Sequence, residues 1–378
     1  MTDPHRPVLL AAERAADAFQ LFSRASAGLR RLVPFHSAVW TAADPETGLI
    51  TAPMLVENLG SGEGCAAYWE SELLEENVVP FRELARATVP AAGLRAATGD
   101  LPARSARFRR LLLGQGVHDE LRAVLRIGGR PWGLVSLFRI TDTFRQDEIA
   151  LLAGLSRPLA ARLRRFARPP GSHPRTDSPA PGLILFDDSG EAMSINDEAR
   201  HHLALLPKGP SFPSPLGLKL PIWVIGTALQ ARAVADGRDH GNARVRIRTA
   251  EGRWLTCHAS CLTGPGGRPG PVALVIEPAA PADLAVLVAD AYGLTSRELQ
   301  ITQLIARGMT TVEIATTLFI SPHTVRDHLK TVFTKACVSS RGELVARLFT
   351  EHYWPALPEP TQVQQPGGPP AQARIPRN

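Results

Sequence analysis

Near its C-terminal end the chain three times places a serine or threonine three residues ahead of a glutamate: Thr295-Ser296-Arg297-Glu298, Thr310-Thr311-Val312-Glu313 and Ser340-Arg341-Gly342-Glu343. Each is the signature of a capping box. The hydroxyl accepts a backbone N–H from the first turn and the carboxylate reaches back to another, so two donors that a helix start leaves unpaired are satisfied at once. Ser321-Pro322 is a start of another kind, an N-cap serine followed by proline at the first helical position, where the missing N–H costs nothing. Helix starts spaced this closely dictate a compact module of four short helices.

The third of these helices decides the reading. From Pro322, the residues Val325, Leu329, Val332 and Phe333, with His328 beside them, follow the i, i+4, i+7, i+8 spacing of a buried face. The opposite face holds His323, Arg326, Asp327 and Lys330. Arg326 and Lys330 stand one turn apart, where a helix laid in a major groove would bring them to guanine edges or phosphates. A solvated surface helix would carry such charges too. What favours DNA is the preceding helix, over residues 312–319, and the short turn Phe319-Ile320-Ser321 that follows it: helix, turn, helix.

The residues Leu294-Thr295-Ser296-Arg297-Glu298, Ala306-Arg307-Gly308, Glu313-Ile314-Ala315, Leu318, Ile320-Ser321, Thr324-Val325, His328-Leu329, Lys335 and Val338-Ser339-Ser340-Arg341 resemble the LuxR-type helix-turn-helix, the four-helix DNA-binding domain at the C-terminus of many bacterial transcription regulators. The resemblance implies recognition positions at Arg326, Asp327 and Lys330, and contacts to backbone phosphate at Thr324 and Lys335. Asp327 occupies a recognition position often apolar or polar in relatives, so it is expected to shape specificity rather than affinity. His328 matches an inward-packing position. Thr311-Val312 departs from the usual Asn-Lys, which puts one phosphate contact in doubt. The family also implies a homodimer on double-stranded DNA, with RNA polymerase as a further partner.

The chain has 378 residues, enough for two or three domains, with ordinary globular composition and a net charge of +6. The charge is uneven: residues 291–350 hold seven Lys/Arg against four Asp/Glu, and Arg162, Arg164, Arg165, Arg168 and Arg175 cluster around a proline-rich segment. Such a balance suits nucleic acid and equally a solubilising surface. Four cysteines, no apolar run long enough to span a bilayer and no signal-peptide pattern point to a cytoplasmic protein without membrane contact.

The expected fold class is α+β multidomain: a GAF-like domain at residues 8–168, a Pro-rich linker at 169–181, a PAS-like domain at 182–279, the all-α helix-turn-helix domain at 287–352 and a disordered tail at 355–378. In the first domain we expect one helix over 11–33, strands at 37–42 and 49–54, a hairpin of 120–127 with 132–140 around Gly128-Gly129, and a helix over 146–166. This order, with Trp132-Gly133 in the last hairpin, resembles a GAF domain. The second reads as a hairpin of 183–186 with 192–196, a helix over 197–205 and strands at 243–249, 254–262 and 272–276. Two strands, helices and three strands resemble a PAS domain. A helix over 283–290 leads into the C-terminal module.

Several tempting chemistries fail on their own terms. Asp187-Asp188 looks like the acidic pair of a phosphorylation receiver, but the next strand candidates, 222–225 and 245–247, carry no terminal aspartate; a hairpin turn accounts for the pair. Cys257-His258-Ala259-Ser260-Cys261 alternates like a strand, in which four residues span ~13 Å. That separates the cysteines too far to share one zinc ion, and they read as buried structural thiols. The loop 264–270 lacks the Gly-Lys-Ser/Thr end of a phosphate-binding loop. Trp40, Tyr68, Trp132 and Trp254 suit core packing as well as a pocket lining. No catalytic constellation is present, so no enzyme, metal or cofactor is expected. The sequence predicts a transcription regulator whose sensor-like domains control a DNA-binding output, with an unknown small-molecule ligand as a candidate partner. Two alternatives remain: front domains that only dimerise or bind protein partners, and a small-molecule sensor or enzyme whose C-terminal module recruits a protein.

Overall fold

The computed structural model describes residues 4–59, 63–75, 77–167 and 180–345. It begins with two helices, α1 (Arg6–Glu13) and α2 (Ala18–Leu29), where a single helix was expected. The break has a local cause. Asp17 adopts extended backbone and its carboxylate accepts the Gln20 N–H at 2.7 Å, so it starts a new helix instead of continuing the old one.

Strands β1 (Ser37–Ala43) and β2 (Ile50–Glu57) form a hairpin, followed by α3 (Glu63–Leu74), α4 (Phe81–Leu84), β3 (Ala91–Gly93), α5 (Leu94–Thr98), β4 (Asp119–Ile127), β5 (Arg130–Arg139) and α6 (Gln146–Phe166). The five strands pair antiparallel in the order β2-β1-β5-β4-β3. Side chains alternate across this sheet. One face sends Trp40, Leu121 and Leu125 against Phe22 of α2 and Leu152, Leu155 and Leu159 of α6. The other sends Val124, Leu134 and Phe138 toward Tyr68 and Trp69 of α3.

That second face also holds a buried charged network. Arg107 donates to Glu72 at 3.0 Å and to Glu120 at 2.7 Å, and Arg122 donates to Glu72 at 2.6 Å. Tyr68 meets Glu120 and Ser136 through its hydroxyl, and the Arg122 guanidinium lies over the Phe81 ring. Two guanidinium groups face two carboxylates, so the cluster is balanced in charge and fills the domain's interior with the protein's own side chains.

The second domain contains β6 (Gly182–Phe186), β7 (Ala192–Ile195), α7 (Asp197–Leu205), the small ribbon β8 (Ser211–Pro213) and β9 (Lys219–Pro221), α8 (Ile222–Ala235), β10 (Arg244–Arg248), β11 (Trp254–Thr263) and β12 (Pro269–Pro278). Its sheet runs β10-β11-β12-β6-β7, antiparallel throughout. Counted within its own domain, that is the wiring of the first sheet. Both are α+β domains of two strands, intervening helices and three strands. Residues 222–225, expected as a strand, instead open α8. Ile222, Trp223 and Val224 are all buried, so the run is apolar on every side and its period is silent about helix or strand. Cys257 is buried as expected; Cys261 is only half-buried.

The two sheets are joined by a buried ion pair. Asp44, in the β1–β2 turn, accepts Arg246 Nε at 2.8 Å and the Arg246 backbone N–H at 3.1 Å, with its other oxygen taken by Nη2. The side chains of Arg246 and Asp44 are 1% and 2% exposed. Thr51 donates to the Arg246 carbonyl at 2.8 Å. Next comes α9 (Pro281–Tyr292), held by both domains: Asp283 accepts from Arg244 at 2.6 Å and gives its carbonyl to Arg246, while Asp290 pairs with Arg130 of β5. Leu284 and Leu287 are buried in the core shared with α6. Four helices close the described chain: α10 (Ser296–Ala306), α11 (Thr311–Leu318), α12 (Pro322–Ala336) and α13 (Arg341–Val345). Most of the expected linker and all of the expected tail fall outside the described residues. Among the described residues no helix is long and apolar enough to cross a membrane.

Replacing Asp44 by alanine leaves Arg246 buried without its counter-ion and is expected to destabilise the folded chain by about 3–5 kcal/mol in urea titration. The double variant Asp44→Leu with Arg246→Met should recover most of that loss. A single variant as stable as the unmodified chain would contradict the importance assigned to this pair.

Candidate nucleic-acid interface

The capping boxes do what their spacing predicts, with one variation. In α10 the Thr295 N–H meets the Glu298 carboxylate at 2.7 Å and the Glu298 N–H meets the Thr295 hydroxyl at 3.3 Å. In α11 Thr310 and Glu313 repeat both distances. In α13 the Glu343 N–H reaches the Ser340 hydroxyl at 3.1 Å, but its carboxylate passes Ser340 and takes the N–H and hydroxyl of Ser339. Ser321 caps α12 by accepting the Thr324 N–H at 3.0 Å.

These starts orient the helices around a small core of Ile301, Ile305, Ile314, Ala315, Val325, Val332, Ala336 and Leu344, all buried. His328, Leu329 and Phe333 sit half-buried at its edge. Between α11 and α12 the chain turns through Phe319, which adopts the left-handed conformation at φ 54 and is 95% exposed. Two arginines of the sequence motif secure the turns around this core. Arg297 donates to the Leu318 carbonyl at 2.7 Å and Arg341 to the Met309 carbonyl, both near helix C-termini that lack internal partners.

Of the five residues singled out from the sequence, α12 brings three together on its solvent face. Arg326, Asp327 and Lys330 are exposed; among the described residues the cationic ends of Arg326 and Lys330 have no partner. Asp327 is engaged within its own helix, 2.9 Å from His323 Nδ1. Thr324 lies at the start of the same helix, half-buried, its hydroxyl 2.9 Å from that of Ser321. Lys335 stands apart. Its ammonium donates to both oxygens of Glu298, at 2.6 and 2.9 Å, and ties the end of α12 to the start of α10. The sequence marked Glu298 only as a capping residue; that it also anchors Lys335 emerges only when the two helices pack together.

Glu298 is 4% exposed. Burial alone would push its carboxyl up, yet the bonds from Lys335 and from Thr295 hold it below the usual carboxylate range. Elsewhere, burial pushes the Cys257 thiol up to about 12, while His258 faces the other way near Glu277. Among the described residues no group of three or more His, Cys, Asp or Glu is placed to hold a metal ion. The Asp187 carboxylate accepts the Ser189 hydroxyl and the N–H groups of Ser189 and Glu191, which closes a turn and lowers its pKa. Trp40, Tyr68 and Trp132 are buried core residues; Trp132 and the half-buried Trp254 also line a cleft of about 680 Å³ between the two α+β domains.

A family model described as bacterial regulatory proteins, luxR family, matches residues 293–348. The spore germination protein GerE of Bacillus subtilis (strain 168) is 42% identical over 55 residues, which make up 15% of this chain and 74% of that protein. Among solved structures, the phage VqmA–DPO complex is 18% identical, over 47% of this chain and 87% of the other, with a TM-score of 0.19. The chromophore-binding domain of the bacteriophytochrome RpBphP3 from R. palustris is 14% identical, over 43% and 60%, with a TM-score of 0.31.

The Glu298 shift carries a pH dependence. A carboxyl with a lowered folded-state pKa stabilises the domain above its ordinary value of 4.5, and that contribution is lost as pH falls through the folded-state value. Melting curves from pH 7 to pH 3 should therefore show the unmodified chain ahead of Glu298→Gln at neutral pH by a margin that narrows as the pH falls. A gap that persists unchanged at pH 3 would refute the ion pair's contribution.

Proposed function

We propose, from the premise that the chain belongs to the luxR family of bacterial regulatory proteins, that it is a cytoplasmic transcription regulator that binds promoter DNA as a homodimer through α12. The observation that carries this reading is the pair Arg326 and Lys330: exposed, free of partners among the described residues, and one turn apart on a helix whose other side is buried. A helix seated in the major groove by its exposed face would bring both cations to base edges or phosphates. Asp327, adjacent to them, adds a carboxylate suited to cytosine N4 and unsuited to phosphate. Thr324, at the helix start, would meet the phosphate backbone. Lys335 acts through Glu298, holding the angle between α10 and α12, and touches phosphate only if that pair opens. Two copies related by a twofold axis would read half-sites about 34–36 Å apart.

The front domains would control this output through α9. That helix precedes the DNA-binding helices and is bonded to the first domain through Asp290 and to the second through Asp283. A change in how the two domains meet therefore acts on α9 first. The balanced network of Glu72, Arg107, Glu120 and Arg122 favours a second reading for the first domain's interior, as a rigid scaffold rather than a ligand chamber.

DNA fragments selected by the full chain from a random pool provide the test. In gel shifts, Arg326→Ala and Lys330→Ala should each weaken binding by about tenfold or more, the loss expected for a base or phosphate contact. Unmodified affinity in both variants, with helical content retained, would exclude α12 as the reading helix.

A further inference from the structure

Three parts of the molecule meet around the cleft that holds Trp132 and Trp254. Trp132 comes from β5, Phe166 from the end of α6, Arg248 and Trp254 from the strands flanking the β10–β11 turn, and Leu287 from α9. The volume, about 680 Å³, lies within the roughly 300–1,000 Å³ of small-molecule sites. Aromatic and aliphatic side chains from all three parts give it an apolar body.

The charges around that body do not balance. Arg246 is matched by Asp44. Arg248 has no such match: half-buried, it donates to the Phe166 carbonyl at 2.8 Å and the Gly252 carbonyl at 3.3 Å, and among the described residues it meets no carboxylate. Burial holds its pKa below the ordinary arginine range, as expected for a cation that has lost water without gaining an anion. Arg165, at the exposed edge, also faces no acid among the described residues. The other acid nearby, Asp17, is occupied as the cap of α2. In a second cleft between the same domains, beside Trp69 and Phe81, Arg82, Arg130 and Arg238 are paired with Asp239, Asp290 and Asp236, and the remaining arginine, Arg86, is exposed rather than half-buried.

We propose that the cleft at Trp132 and Trp254 binds a small amphipathic organic anion, an apolar ring or chain bearing one carboxylate or sulfonate, with Arg248 taking the anionic group. A half-buried guanidinium short of an anion supplies the charge-assisted bonds, and the aromatic walls take the body. Because Leu287 belongs to α9, occupancy reaches the helix that leads to the DNA-binding module. The proposal rests on the regulator reading for the purpose of binding, though not for binding itself.

The test uses the full chain with two probes: 8-anilinonaphthalene-1-sulfonate, and N-phenyl-1-naphthylamine, which has the same rings without the sulfonate. The sulfonate should bind at one site per chain, with energy transfer from tryptophan. Its affinity should fall about tenfold or more in Arg248→Gln, the loss of one charge-assisted contact, while the neutral probe binds both proteins alike. Ala250→Trp, an exposed position on the cleft wall, should block both probes without disturbing the interior. Equal sulfonate affinity in the unmodified chain and Arg248→Gln would overturn the proposal, as would binding undiminished by Ala250→Trp. Retention of the selected DNA is measured in the same samples. Failed probe binding with DNA retained rejects the cleft alone; failed DNA binding with the probe held rejects the regulator reading alone.

Discussion

The arrangement of this molecule depends on one carboxylate meeting one guanidinium out of reach of water. Asp44 and Arg246 lie on different sheets, and each would be costly to bury alone. Together they satisfy one another through two of the three guanidinium nitrogens and a backbone N–H, so the turn between β1 and β2 can press against the edge strand of the second domain. The same arginine then reaches past the pair to the Asp283 carbonyl, and its neighbour Arg244 takes the Asp283 side chain and Glu46. One edge strand thus orients both the first domain and α9. Such a pair specifies geometry sharply, since a small displacement leaves two buried charges unmatched. It contributes to which arrangement forms at least as much as to how stable that arrangement is.

The legibility of the sequence varied along the chain with the range of the forces involved. Helix starts are local: a hydroxyl and a carboxylate three residues apart settle α10 and α11, and a serine followed by proline settles α12, so each begins where its capping residues stand. Helix α6 spans the residues its apolar period marks, and α7 follows Asn196 as expected. The inward set on α12 and the exposed Arg326 and Lys330 also follow from period alone. What was hidden depends on partners distant in sequence. Nothing near Asp44 announces Arg246, and nothing near Lys335 announces Glu298. The network joins Glu120 of β4 to Tyr68, Glu72 and Arg107, which come from a stretch with no clear period. The apolar start of α8 misled for the opposite reason, being buried on every side.

Charge accounting separates the surfaces of this protein into two kinds. Most arginines in the described part are consumed internally, by carboxylates or by carbonyls at helix ends, as Arg139 is by Glu148 and Arg297 by the Leu318 carbonyl. A net charge of +6 is therefore a poor guide to where an anion would settle. Among the cations that meet no carboxylate in the described part, two kinds are informative: Arg326 and Lys330 on α12, exposed to solvent, and Arg248, half-buried and bonded only to carbonyls. The first two suit a polyanion approached from outside, where long-range attraction and counter-ion release dominate. The third suits a single anionic group set against apolar walls.

The bonding between the two α+β domains also changes the meaning of the segment that links them. Ala167 and Ala180 bracket the chain between α6 and β6, yet the domains are held by Asp44, Arg246, the Arg248 bond to the Phe166 carbonyl, and α9 lying across both. Covalent continuity through the proline-rich stretch is then redundant once the molecule has folded. It raises the effective concentration of one domain near the other during assembly and does little afterwards. A chain cut there would stay a single particle, and its halves, made separately, would have the chemical means to find one another.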